Sequence, residues 1–163
     1  MKLCRFTCIL ASIVIIANMV MTYYMSVENT MKEYETQLSP ELREKYIQIA
    51  NERKQIYTIG HLFGFFLSFF FILFLTAFRF KSFSSIYTNI CFVIIMTYFI
   101  GAVFYIHSPK TDWMLNHIQD EQQSKAWLKM YRYMKNHYHN SFMVSTGAVV
   151  VYLVAFGCDR VVW

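Results

Sequence analysis

The chain has 163 residues, of which 56% are hydrophobic, 19% aromatic and only 15% charged, and its formal net charge is +5. A soluble domain of this length has too little interior to hide that much apolar surface, whereas a chain immersed in lipid has no need to hide it. The basic excess lies beside the apolar segments and not on one concentrated face with stacking aromatics, which argues against nucleic acid as a partner and for anionic lipid.

The first apolar run covers Arg5–Met25. Lys2 and Arg5 resemble the charged start of a secretory signal, but the run continues past Ile16 to Met21, longer than a usual signal core, so a retained span is expected. Cys4 and Cys8 share a helical face here. With Cys91 and Cys158 they make four cysteines, and no two form a C-x-x-C pair. They read as small apolar residues within spans, with acylation of the juxtamembrane Cys4 as the rival reading.

After a connection, Ser26–Leu38, comes a helix start. Ser39 suits the cap, Pro40 the first helical position, and Glu41 the positive end of the helix dipole. Neither Gly nor Pro recurs before Gly60, so one helix is expected to run from Pro40 through a second apolar span, Thr58–Phe78. At 1.5 Å per residue this is a rod of about 58 Å, half of it clear of the apolar part. Tyr46, Ile49, Arg53 and Ile56 form a stripe along its polar half. Gly60, Gly64 and Ser68 form small-x-x-x-small steps in its apolar half, a helix-packing signal.

The third span is Ile86–Ile106. Pro109 stops it and opens the connection His107–Gln119, which carries Trp113 and Met114. Trp113, like Tyr34 in the first connection, suits a membrane interface. Asp120 then caps as Ser39 does and is followed by Glu121. Trp127, Met130, Tyr131, Met134 and Tyr138 lie along one face of the helix expected there. The fourth span is Ser141–Cys158, with Ser141 and Ser145 in the places of Gly60 and Gly64. The stripe predicts that the second and fourth spans meet at a pseudo-two-fold axis.

These features occur twice in the same order. Shifted by 81 residues without gaps, the halves place Thr7 on Thr88, Ile13 on Ile94, Lys54 on Lys135, Tyr57 on Tyr138 and Arg79 on Arg160. The reading is an all-α, integral membrane four-helix protein: a tandem duplication of a helical hairpin, residues 1–82 and 83–163, forming one compact domain. Its second and fourth helices extend beyond the bilayer as stalks that pack on one another. Four spans put both termini on one side. That side holds Lys2, Arg5, Arg79, Lys81 and Arg160 against the single acid Asp159, so both termini are expected to be cytoplasmic at insertion.

Nothing points to catalysis, and no cofactor or metal is expected. His61, His107 and His139 stand near one membrane surface, where haem ligation competes with ordinary interfacial polarity, and polarity is the better reading. His137-x-His139 is a poor chelate, because its rings point to different sides of a helix. Apart from Arg5 at the edge of the first, no span contains Asp, Glu, Lys or Arg, the usual sign of a transporter or channel. Asn18, Asn89, Ser68 and Thr97 suffice for helix–helix hydrogen bonds. The candidate partner-binding residues are the large apolar ones of the stalks and connection: Trp113, Met114, Trp127, Met130, Tyr131, Met134, Tyr46 and Ile49.

The stretch Pro109-Lys110-x-Asp112-x-Met114-Leu115, then Glu121-Gln122, Ala126-Trp127 and Tyr131-x-x-Met134-Lys135, resembles multi-span virion membrane proteins, associated with minor capsid proteins, of the nucleocytoplasmic large DNA viruses. The run Tyr46, Glu52-Arg53, Ile56-Tyr57, Gly60, Gly64 resembles the same group, so the likeness covers about two-thirds of the chain. The resemblance implies a structural protein of a viral internal membrane made in the host endoplasmic reticulum, anchoring that membrane to capsid or minor capsid proteins. It implies no catalytic residues. The partners expected are the lipid bilayer and proteins of a large assembly, with a homo-oligomer as a further option. The alternatives are an accessory subunit of a cellular membrane complex such as a respiratory assembly, and a lipid-handling or haem-binding enzyme.

Overall fold

A computed structural model of the chain describes residues 2–24, 29–78 and 86–161, and of these the backbone alone for 2–5, 7, 24, 29, 30, 87, 88 and 152–161. Among the described residues every regular element is helical: α1 Lys2–Tyr24, α2 Asn29–Thr36, α3 Pro40–Ala77, α4 Ile86–His107, a single 3-10 turn Met114–Asn116, and α5 Glu121–Val161. The first connection is thus partly ordered as α2. Two helices are long and apolar enough to cross a membrane, α3 and the 89–107 part of α4; within α1, Cys8–Tyr23 forms a shorter apolar helix. Arg79 and Lys81, and the side chains of Lys2, Cys4, Arg5, Cys158, Asp159 and Arg160, lie outside the described residues.

Both long helices start where their sequences direct. Ser39 Oγ accepts the Leu42 N–H at 3.5 Å with Pro40 in the first turn, and Asp120 Oδ2 accepts the Gln123 N–H at 3.2 Å. These caps satisfy donors that the first helical turn leaves without partners. From there α3 runs 38 residues and α5 runs 41. Their lengths are about 57 and 62 Å. At the far end of α4 the Lys110 ammonium donates to the carbonyls of Tyr105, Ser108 and Ile106, closing the helix with a cation where its dipole is negative.

The helices pair as α3 with α4 and α1 with α5, while α1 also touches α4. The small-residue stripe does not join the second span to the fourth. It seats α3 antiparallel on α4. A Cβ on Gly60 would stand 2.9 Å from the Phe104 ring, and one on Gly64 would stand 2.9 Å from the Thr97 carbonyl oxygen. Ser68, 2% exposed, continues the stripe and donates to the Gly64 carbonyl at 2.6 Å. Small residues permit close approach but do not choose a neighbour. The eight-residue gap between the two helices makes α4 the adjacent surface, and short connections favour antiparallel neighbours. Ser145, fully buried in α5, packs on α1 and accepts the Asn18 side-chain amide at 3.0 Å; Ser141 is half-buried.

Cys8, Ala11 and Ile15 of α1, Cys91 and Ile95 of α4 and Ala148 of α5 form one buried cluster. Within it Cys8 and Cys91 are joined as a disulfide, with their Cα atoms 6.3 Å apart. Spacing along the chain gives no sign of this bond, because it links two helices. A second cluster, Met31, Tyr34 and Met130, lies where α2 meets the polar halves of α3 and α5. The stalks therefore do not pack stripe against stripe. The Tyr34 ring comes between them, 5.3 Å from Tyr46 and 5.7 Å from Trp127.

Candidate partner-binding cavity

Below the Tyr34 wedge the stalks enclose a cavity of about 400 Å³. All eight candidate partner-binding residues line it: Tyr46 and Ile49 from α3, Trp113 and Met114 from the second connection, and Trp127, Met130, Tyr131 and Met134 from α5. Their common placement follows from helical spacing, since positions three and four apart share a face, and from α2, which holds the two faces at a distance. The eight are not alike in exposure. Met114 and Met130 are each 1% exposed and serve as core, whereas Trp113 is 55% and Tyr131 47% exposed. Leu115 and Leu128, also exposed, were not singled out in the sequence, because isolated leucines at a helix or turn surface are common.

The roof is aromatic and holds few free polar groups. Tyr46 donates its hydroxyl to Met31 Sδ at 3.3 Å. Burial, and then the nearby Glu35 carboxylate, pushes the Tyr46 phenol up to about 12. Burial, then Tyr46, does the same to Tyr34. Both phenols are therefore neutral across the physiological range. At the floor, Tyr57 donates to the Met19 carbonyl at 3.1 Å, tying α3 to α1, and burial pushes Tyr138 up to about 12.

One side is closed by a polar latch. Arg53 of α3 donates to the Asp112 carbonyl at 2.6 Å, lies 3.3 Å from Glu52 Oε2, and sits over the Trp113 ring at 4.9 Å. Glu52 Oε1 accepts the Thr111 N–H at 2.9 Å. Asp112 accepts from His117 at 2.7 Å and from the Trp113 N–H at 2.8 Å. The Thr111 hydrogen bond, with Arg53 adding to it, holds Glu52 below the usual carboxylate range, and the His117 hydrogen bond does so for Asp112. This explains the single charge in the apolar stripe: Arg53 fixes the loop that carries Trp113.

The two remaining cations of the lining backbone register are Lys54 and Lys135, with no carboxylate among the lining residues. Lys54 Nζ lies 4.3 Å over the Tyr23 ring, and neither lysine has an ion-pair partner among the described residues. The histidines considered for haem are tied to their own helices. His61, His107 and His139 each donate Nδ1–H to the carbonyl four residues back, at 2.8, 2.9 and 2.8 Å. No protein family, no curated protein and no solved structure matches this chain.

Proposed function

We propose that the chain is a structural transmembrane protein of a large icosahedral DNA virus, anchoring the internal membrane to capsid or minor capsid proteins. In this reading α1, the apolar half of α3, α4 and the apolar half of α5 cross the bilayer, as two tandem hairpins with both termini on the cytoplasmic side at insertion. The polar halves of α3 and α5 rise from the opposite leaflet as stalks.

The observation that carries the membrane part of this reading is α3 itself. It is one uninterrupted helix whose apolar half turns Leu62, Phe63, Phe66, Phe70 and Phe74 outward, each more than half exposed, while its other half holds the latch and cavity. The most apolar stretches of α3 and α4 are each only 22% buried, the reverse of a core helix in a soluble protein. Outward apolar side chains continue the girdle on α1 (Phe6, Ile13, Val20), α4 (Ile90, Val103, Ile106) and α5 (Phe142, Met143, Val150). Water opposes such a surface and lipid favours it. The helix pairing supports the duplication: exchanging the two halves converts the α3–α4 pair into the α5–α1 pair and leaves the α1–α4 contact in place. The pseudo-two-fold axis then passes between the first and third spans.

Trp113, Leu115 and Tyr131 are among the large outward side chains beyond the spans that suit docking to a protein layer. The viral assignment rests on the sequence resemblance. Mass spectrometry of purified particles, with a photo-cross-linking residue at Leu115, tests it. The expected result is many copies per particle, cross-linked to a capsid-layer protein. Absence from particles, or co-migration with a cellular membrane complex instead, overturns it.

A further inference from the structure

We propose that the cavity between the stalks holds the head group of one anionic phospholipid from the adjoining leaflet, between Lys54 and Lys135. The inference rests on the membrane reading above and goes beyond it by naming a ligand class and its site.

The two lysines hold matching positions in the two halves, one on each stalk, and both line the same cavity. Among the described residues neither has a carboxylate partner and no acid lines the cavity, so their positive charge is uncompensated there. Their height is right for a head group. Lys54 stands four residues before the apolar span at Thr58, and Lys135 six residues before Ser141. At 1.5 Å per residue these are about 6 and 9 Å above the hydrocarbon edge. The head-group layer is about 5–8 Å deep there, and lysine tips snorkel through it.

The rest of the wall selects an amphiphile. Tyr57, Tyr105 and Tyr138 form the floor on the bilayer side, and Ile49, Met130 and Met134 stand above. A small anion could meet the two ammonium groups but would gain nothing from this aromatic and methionine surface. A lipid brings apolar glycerol and acyl atoms against it. At the stalk tips Tyr34 bridges Tyr46 and Trp127, which narrows the cavity at the end away from the bilayer.

The test is quenching of indole fluorescence by energy transfer to phospholipids with parinaroyl chains, which reaches from the stalks to the bilayer as contact quenching does not. The full-length chain carrying Trp163→Phe is reconstituted in phosphatidylcholine vesicles, leaving Trp113 and Trp127, both at the cavity, as reporters. Parinaroyl phosphatidylglycerol as a minor component should quench saturably, and parinaroyl phosphatidylcholine at the same fraction should not. In Lys54→Gln/Lys135→Gln the apparent affinity should fall about thirtyfold, two lysines' worth of attraction to an anionic lipid. Lys54→Arg/Lys135→Arg should retain it, which separates charge from folding. Excess inorganic phosphate should displace nothing. Equal quenching by both lipids, an unaffected glutamine variant, or displacement by phosphate overturns the proposal. So does absence of quenching from protein that still floats with the vesicles, which would leave the cavity to a protein segment. Failure to float overturns the membrane reading and the site together.

Discussion

Arg53 reaches across 59 residues to place its guanidinium 2.6 Å from the Asp112 backbone carbonyl. The bond joins the middle of the first stalk to the connection that carries Trp113, and so shapes one wall of the cavity. Because Glu52 and the Trp113 ring hold the same guanidinium, its geometry is set from three directions. Arg53→Ala should cost about 1.5–3 kcal/mol, the range for a hydrogen bond from a charged donor. Arg53→Lys should recover little, because an ammonium cannot fork between a carbonyl and a carboxylate while lying flat on an indole. Thermal unfolding in detergent micelles gives the energy, and limited proteolysis should show faster cutting between residues 108 and 120. Unchanged proteolysis in Arg53→Ala would remove the latch from the account.

The latch also predicts an acid limit. Glu52 and Asp112 are both held below their ordinary values of 4.5 and 3.8, so the folded chain takes up these protons later than the unfolded chain. Their contribution to stability is complete above the ordinary carboxylate range and is lost as the pH falls through the lowered folded values. Melting temperature should be insensitive to these groups from neutral pH down to about 5 and should drop below about 4. Glu52→Gln should show a shallower acid decline than the parent protein. A parent chain that gains stability on acidification would contradict the sign.

Gly64 and Gly147 should respond in opposite ways to the same change. A Cβ on Gly64 meets the Thr97 carbonyl oxygen at 2.9 Å, a backbone atom that can yield only if α4 moves. Gly64→Ala should therefore destabilise by about 1–3 kcal/mol. A Cβ on Gly147 meets nothing within 4 Å, so Gly147→Ala should stabilise α5 by about 0.5–1 kcal/mol. Parallel melts of the two variants provide the comparison, and a neutral Gly64→Ala would mean that α3 and α4 are less closely seated.

The bond from the Asn18 amide to the Ser145 hydroxyl is a polar tie between α1 and α5. If α1 and α5 cross the bilayer as proposed, the scale is that of hydrogen bonds between helices in lipid, which average about 0.6 kcal/mol and reach about 1.7 kcal/mol. A double-mutant cycle with Asn18→Ala and Ser145→Ala should give a coupling in that interval. Purely additive effects would show that the two side chains do not act on each other.

Cys8 and Cys91 make a simpler chemical prediction. Maleimide labelling of the unfolded chain should modify two more cysteines after reduction than before it. Cys8→Ser should expose Cys91 to the reagent without a reductant. Full labelling of the unreduced parent would exclude the bond.

Local signals were readable from the residues alone. Ser39-Pro40-Glu41 and Asp120-Glu121 announce two helix starts, and the stretches free of Gly and Pro behind them require long helices, because caps and propensities act within one turn. The stripe through Tyr46, Ile49, Trp127 and Met130 likewise marked the residues that meet in the cavity. Partner choice was a matter for the tertiary structure. The Gly60-Gly64-Ser68 stripe carries closeness without an address, and α4 received it in place of α5. Nothing in the spacing of Cys8 and Cys91 tells which helices will lie side by side, and nothing in the polar residues 29–36 says that Tyr34 will wedge the stalks apart. Periodicity records which face of a helix is apolar, but only the competition among all the faces for one another decides what each face covers.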